Sequence, residues 1–82
     1  MEYIIKPHAL GRMRERAISE AFLRDALEYP TKIGYDPRGR ILIKKLYMRD
    51  GKERLLLIAG EYIENAFVII TVIDTSKVKK YL

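Results

Sequence analysis

The sequence predicts an α+β domain in which helices come first and an antiparallel sheet follows. Residues 7–28 place their apolar side chains at helical spacing, whereas from Thr31 onward apolar and polar residues alternate with a period of two. Asp50-Gly51, between two alternating runs, indicates a type I′ hairpin turn. With 82 residues, the chain is expected to form one domain over residues 1–82, because so short a chain cannot enclose two cores.

The composition is typical of a compact globule, with 49% hydrophobic and 33% charged residues. The absence of cysteine excludes disulfides, thiolate metal sites and a cysteine nucleophile, and it favours a cytoplasmic location. No apolar run approaches the roughly 18 residues of a membrane span, so we expect no membrane insertion. Lys and Arg total 16 against 11 Asp and Glu, a net charge of +5. This excess favours a polyanionic partner: nucleic acid, an anionic membrane surface or an acidic protein.

The first helix is expected from Pro7 to about residue 16. It follows a β-prone stretch, residues 3–6, that forms an edge strand or an extended lead-in. Proline suits the first helical position, because its missing N–H has no helical partner there. The apolar side of this helix is formed by Ala9, Leu10, Met13 and Ala17. The opposite side presents three residues at i, i+4 and i+8: His8, Arg12 and Arg16.

A second helix is expected to begin after Ser19, whose hydroxyl is suited to cap the first turn. Its apolar stripe consists of Phe22, Leu23, Ala26 and Leu27. Pro30 ends it, because the residue before a proline is disfavoured in the helical region.

Four strands are expected after the helices. They span residues 31–36, 40–49, 52–60 and 66–74. Turns join them at Pro37-Arg38-Gly39, at Asp50-Gly51 and within residues 61–66. The tail, residues 75–82, is either a short helix or frayed.

The two-residue turn fixes which residues face each other across the central hairpin, and it pairs Arg49 with Lys52. One face is then mainly apolar and is expected to pack against the helices: Leu42, Lys44, Leu46, Met48, Glu53, Leu55, Leu57 and Ala59. The other face has a half that we call the basic hairpin: Lys45, Tyr47, Arg49, Lys52 and Arg54. Like charges placed opposite each other destabilise a sheet, so an anionic ligand would relieve this repulsion.

The last strand is apolar on both sides, which is typical of a central strand. A turn at Glu64-Asn65 would place Ile58 opposite Thr71, the single polar residue within this strand. Metal and cofactor sites are not expected. One histidine and scattered carboxylates give no ligand spacing, and there is no Gly-rich phosphate loop.

Residues 8–19 resemble the opening signature of a small prokaryotic family of uncharacterised domains, His-Ala-x-x-Arg-Met-x-x-Arg-x-Ile. The matching positions in this chain are His8, Ala9, Arg12, Met13, Arg16 and Ile18. That family is grouped with the BECR fold, which is shared by barnase, EndoU, colicin-type nucleases and RelE-type toxins.

The resemblance implies two N-terminal helices packed on a four-stranded antiparallel, twisted sheet. It also implies a nucleic-acid cleft, metal-independent RNA cleavage and, in a toxin–antitoxin setting, an antitoxin protein as partner. Carried over by position, the site residues are His8, Arg12 and Arg16. Thr71 matches a polar position in the last strand of such domains.

The resulting hypothesis is a metal-independent endoribonuclease. His8 is the acid/base candidate, since only histidine titrates unperturbed near neutrality, and Arg12 and Arg16 suit bidentate phosphate contacts. Thr71 would bind a phosphate or orient His8. The basic hairpin would follow the RNA backbone, with Tyr47 stacking on a base.

Two alternatives remain open at this point. The same basic surface could bind RNA or an acidic protein without cutting anything. Alternatively, the domain could bind proteins through the exposed edge of the strand at 3–6 or at 31–36, which predicts a homodimer.

Overall fold

A computed structural model describes residues 2–82. The elements are β1 (Tyr3–Ile5), α1 (Pro7–Glu15), α2 (Glu20–Glu28), β2 (Lys32–Tyr35), β3 (Ile41–Arg49), β4 (Lys52–Ile63), β5 (Ala66–Thr75) and α3 (Val78–Tyr81). The strands form one sheet in the order β1-β5-β4-β3-β2. Within this range, no helix is both long and apolar enough to cross a bilayer.

The expectation of a four-stranded antiparallel sheet with two helices is wrong. The sheet has five strands and is mixed, because β1 pairs with β5 in parallel, with Tyr3 opposite Phe67 and Ile5 opposite Ile69. The amide of Phe67 donates to the carbonyl of Glu2 at 3.0 Å, and that of Lys6 donates to Ile69 at 3.0 Å. A strand that is apolar on both faces is typically central in its sheet, and β1 is the neighbour that makes β5 an interior strand.

Helix α1 begins at Pro7 and ends in a left-handed cap. Ala17 has a φ of 54°, and the amide of Ile18 donates to the carbonyl of Met13 at 2.8 Å. The amide of Ala17 donates to Arg14 at 3.3 Å, which completes a Schellman motif in which Ala17 occupies the usual glycine position. Ile18 and Met13 are both buried in the core, so this cap directs the chain toward α2.

Helix α2 has the predicted N-cap: Ser19 Oγ accepts a hydrogen bond from the amide of Phe22 at 3.0 Å. The helix ends at Glu28, two residues before Pro30, as expected from the restricted backbone ahead of a proline.

The predicted hairpin register is confirmed. Arg49 lies opposite Lys52, and Tyr47 lies opposite Arg54. Asp50 and Gly51 both have positive φ, 53° and 76°, as a type I′ turn requires.

The helices cover the opposite face of the hairpin from the one expected. The main core unites α1 and α2 with the face that also bears Tyr47: Ala9, Met13, Ile18, Leu23, Ala26, Leu27, Ile43, Leu56, Ile58, Phe67, Ile69 and Val72. The residues expected to meet the helices lie on the other face, where α3 packs against β4. Both faces of β4 are apolar at mid-strand, so alternation alone did not distinguish them.

The pairing of β4 with β5 follows the predicted register from the turn as far as Gly60 opposite Ile69, and then shifts by one residue. Thr71 therefore lies opposite Ala59, and Ile58 lies opposite Val72, so the predicted Ile58–Thr71 pair is wrong. Gly60 explains the bulge: a Cβ there would lie 2.5 Å from the carbonyl oxygen of Val68. The shift turns Val72 and Asp74 toward the face covered by the helices.

Candidate nucleic-acid interface

An open groove runs between the end of α1 and the last residues of β5. It is lined by Arg12, Arg16, Thr71, Val72, Ile73 and Asp74, and we call it the arginine groove. Strand β1 covers β5 only as far as Ile69, so the stretch of β5 that borders the groove has no strand on its outer side within residues 2–82.

The local sequence explains why two arginines border this groove. Ala9 and Met13 are buried on the inner side of α1, which leaves Arg12 on its exposed side. Arg16 is the C-cap residue, one helical turn further on. Neither guanidinium forms an ion pair with an acidic side chain in the part of the chain that the structure describes. Both are therefore free to bind an external anion.

Thr71 is the uncharged polar residue that β5 contributes to the arginine groove. It lies just beyond the bulge, opposite Ala59, and is half-buried. Three of the four predicted catalytic residues, Arg12, Arg16 and Thr71, therefore line one groove. The shifted register places the Thr71 side chain on the face of the sheet that points away from α1 and α2.

His8 does not line the groove. It is exposed in the first turn of α1, and its side chain has no hydrogen-bond partner among residues 2–82. Four residues separate it from Arg12, which corresponds to about 6 Å along the helix axis. The imidazole therefore stands on the same exposed helix as the arginines, one turn away from the groove.

Asp74 closes one end of the groove and is the centre of a buried ionic cluster. Its side chain is 3% exposed, and Arg54 holds it through Nε, at 3.0 and 3.1 Å from the two carboxylate oxygens, and through Nη2 at 3.0 Å. Tyr47 donates its phenolic hydrogen to the same carboxylate. Arg49 lies at 3.9 Å, the outermost of its partners. A carboxylate with this many donors is fully satisfied.

The ionisation of this cluster follows from its contacts. Burial alone raises the pKa of Asp74, but hydrogen bonds from Arg54 and Tyr47 outweigh burial and hold that pKa below its ordinary value. Burial, reinforced by the hydrogen bond to Asp74, raises the pKa of the Tyr47 phenol. The carboxylate therefore stays charged and the phenol neutral at neutral pH.

Most of the cationic side chains of the basic hairpin bind carbonyl or carboxylate groups of the same protein molecule. Arg49 also donates to the carbonyls of Arg16 at 3.1 Å and Ala17 at 3.4 Å, which caps the end of α1. Lys45 donates to the carbonyl of Tyr29 at 2.7 Å and lies 3.5 Å from Asp25. Lys52 is exposed and has no acidic partner within residues 2–82.

Tyr47 has neighbours on its ring as well as on its hydroxyl. The ring of Phe22 lies 4.8 Å away, centroid to centroid, and the guanidinium of Arg49 lies 5.6 Å from the Tyr47 centroid. In this arrangement the tyrosine joins α2 to the ionic cluster.

Sequence reasoning missed Asp74 as a site residue. Its signal was available: an aspartate ends an otherwise apolar strand, and the neighbouring hairpin has an excess of cations on one face. Which face Asp74 joins depends on the bulge at Gly60, and no local pattern indicates that bulge. Residues 2–82 also contain no group of three or more His, Asp or Glu side chains placed to hold a metal ion.

The chain was compared with known protein families, curated proteins and solved structures. Residues 5–74, which include α1, α2, β2 to β4, nearly all of β5 and the residues that line the groove, match the family described as "Domain of unknown function (DUF4258)". The chain belongs to that family. No curated protein and no solved structure matches it.

Proposed function

We propose that this domain binds RNA in the arginine groove and cleaves it without a metal ion. The observation that supports this most directly is the distribution of unpaired charge. Arg12 and Arg16 border a groove and have no acidic partner within residues 2–82, whereas Arg49 and Arg54 are held by Asp74. An arginine without a partner retains its fork of donors for a phosphate. The groove, rather than the basic hairpin, is then the phosphate site.

In the proposed reaction, His8 accepts the proton of a ribose 2′-hydroxyl. The 2′-oxygen then attacks the adjacent phosphorus and the bond to the 5′-oxygen breaks, which leaves a 2′,3′-cyclic phosphate. The departing 5′-oxygen takes a proton from water. Arg12 and Arg16 stabilise the charge that develops on the phosphate oxygens. The requirement for a 2′-hydroxyl makes the reaction specific for RNA.

The sequence signature supports the same proposal. His8, Arg12 and Arg16 match the signature of a family that we group with BECR-fold ribonucleases and RelE-type toxins. The corresponding protein partner would be an antitoxin that covers the groove. Acidic side chains on that partner would compete with RNA for Arg12 and Arg16.

The second candidate is RNA binding without cleavage. It is favoured by the position of His8 outside the groove lining, and by Asp74 and Tyr47 being bound to each other. A domain of this kind would use the same arginines and lack a proton acceptor.

Incubation of RNA with the purified protein in EDTA tests the proposal. We expect cleavage by the parent protein, binding without cleavage by His8→Ala, and loss of both with Arg12→Ala/Arg16→Ala. Arg14→Ala is the matched control, because Arg14 is an exposed arginine of α1 that does not line the groove. Binding without cleavage by every protein would select the second candidate. An absence of RNA binding by the parent protein would overturn both.

A further inference from the structure

Strand β2 ends the sheet on the side opposite the arginine groove, and its outer edge has no neighbouring strand within residues 2–82. The amide of Asp36 donates to the carbonyl of Arg40 at 2.9 Å, so the Asp36–Arg40 pair is hydrogen-bonded. Hydrogen-bonded and non-hydrogen-bonded pairs alternate in an antiparallel ladder. Ile33 and Tyr35 therefore direct their main-chain N–H and C=O groups away from β3, toward solvent.

The side chains at this edge are apolar and accessible. Ile33 is 60% exposed and Tyr35 is 75% exposed, and residues two apart in a strand point to the same side. Edge strands are usually protected by charges, prolines or bulges at such positions. An apolar edge with outward main-chain donors and acceptors is suited to pair with another strand.

The sequence of this edge complements itself around Gly34. In an antiparallel pair centred on Gly34, Ile33 lies opposite the partner's Tyr35, and Lys32 lies opposite the partner's Asp36. The two Ile–Tyr pairs share one face of the sheet, and aromatic–β-branched pairs are among the cross-strand combinations that stabilise sheets. On the other face, Arg40 of the same chain binds Asp36 at 2.7 Å, and Lys32 donates to the carbonyl of Leu82 at 2.9 Å. The pairing between two copies therefore depends on the Ile–Tyr pairs and the main-chain hydrogen bonds.

We propose that β2 pairs antiparallel with β2 of a second copy of this chain, related by a two-fold axis at Gly34. Each Ile33–Tyr35 pair exchanges two main-chain hydrogen bonds, and the two sheets become continuous. The arginine groove borders β5, at the other side of the sheet, so both grooves of the dimer remain accessible. The proposal does not depend on RNA binding.

A cysteine at position 34 tests the register. The chain has no cysteine, and a Cβ at Gly34 would meet no atom within 4 Å, so Gly34→Cys introduces one thiol without a clash. Non-hydrogen-bonded partners have Cα atoms about 4.5 Å apart, which a disulfide can span. We expect Gly34→Cys to form a disulfide dimer about tenfold faster than the control Ile63→Cys, an exposed strand residue outside β2, because pairing raises the local thiol concentration.

Sedimentation velocity over a range of protein concentrations tests the interface. We expect the parent protein to dimerise and Ile33→Lys/Tyr35→Lys to stay monomeric, with an unchanged circular dichroism spectrum. Ile4→Lys, at an exposed isoleucine of β1, should dimerise like the parent protein. A parent protein that is monomeric up to millimolar concentration, a dimer that survives both lysines, or equal cross-linking at positions 34 and 63 would each overturn the proposal.

Discussion

Tyr47 of β3 donates a hydrogen bond to Asp74 of β5 across the intervening strand β4. Arg54 of β4 binds the same carboxylate, so three adjacent strands meet in one buried cluster. Arg49 extends this cluster to the last carbonyls of α1. The end of the sheet and the end of the helix that border the arginine groove are therefore held by one carboxylate.

Removal of that carboxylate should destabilise the protein strongly. Asp74→Ala leaves Arg54 and Tyr47 without their shared partner, and we expect a loss of about 2–4 kcal/mol in the free energy of unfolding. Urea denaturation measures it. Asp25→Ala is the control, because the Asp25 carboxylate is half exposed and its ion pair with Lys45, at 3.5 Å, should contribute under about 1 kcal/mol. Equal losses in the two variants would contradict the role assigned to Asp74.

The same cluster should make stability dependent on pH. The pKa of Asp74 is lowered on folding, so its contribution is present above the unfolded-state pKa of about 3.9 and is lost as the pH falls through the folded value. Thermal unfolding between neutral and strongly acidic pH checks this. In Asp74→Asn, the melting temperature should fall less steeply as the pH is lowered. A fall as steep as that of the parent protein would contradict the role assigned to Asp74.

At alkaline pH, the stability of the protein should fall as the phenol of Tyr47 ionises. Its pKa is raised on folding, so its contribution is complete below the unfolded-state pKa of about 10 and is lost as the pH rises through the folded value. Absorbance of the tyrosinate, followed together with unfolding, measures this effect. Tyr47→Phe should unfold with a shallower alkaline dependence than the parent protein; an identical dependence would contradict the assignment.

The bulge requires glycine at position 60. In Gly60→Ala the new methyl group would lie 2.5 Å from the carbonyl oxygen of Val68 and 2.8 Å from the Phe67 ring. We expect a destabilisation of about 3 kcal/mol or more, because the main chain must move. Gly34→Ala is the matched control, because its methyl group meets nothing within 4 Å, and it should unfold within about 0.5 kcal/mol of the parent protein.

The cap of α1 offers a stabilising substitution. Ala17 adopts a φ of 54°, where a side chain costs about 1 kcal/mol relative to glycine. Ala17→Gly should therefore raise the midpoint of urea denaturation. Ala21→Gly, within helix α2, should lower it by a comparable free energy, since glycine is unfavourable inside a helix. A loss of stability in Ala17→Gly would show that the positive φ of Ala17 does not reduce the stability of the protein.

The features predicted correctly from sequence are local ones. The turn at Asp50-Gly51 sets its own register, and Ser19 caps α2 through an amide three residues away. Such features depend on a few neighbouring residues, so no distant contact is needed to specify their geometry.

The features that sequence missed depend on distant partners. The choice of sheet face was wrong because Leu55 and Leu57 are as apolar as Leu56 and Ile58. The register error has its cause at Gly60, where the carbonyl oxygen of Val68 and the ring of Phe67 leave no room for a side chain.

For the candidate site, the signature on α1 includes Arg12 and Arg16, which border the groove with Thr71, but also His8, which does not line it. It did not indicate that Asp74 binds Arg54 and Arg49, because that pairing requires the shifted register. Whether the groove binds and cleaves RNA remains a prediction.

The parallel pairing of β1 with β5 also affects when the domain can fold during synthesis. Tyr3 cannot meet Phe67 until nearly the whole domain has left the ribosome, although α1 and α2 emerge much earlier. Contacts between such distant positions slow folding, because the intervening loop must close first. Helix α1, which packs mainly against β5, must therefore keep its apolar side uncovered until that last strand has been synthesised, whereas α2 can pack earlier against β3.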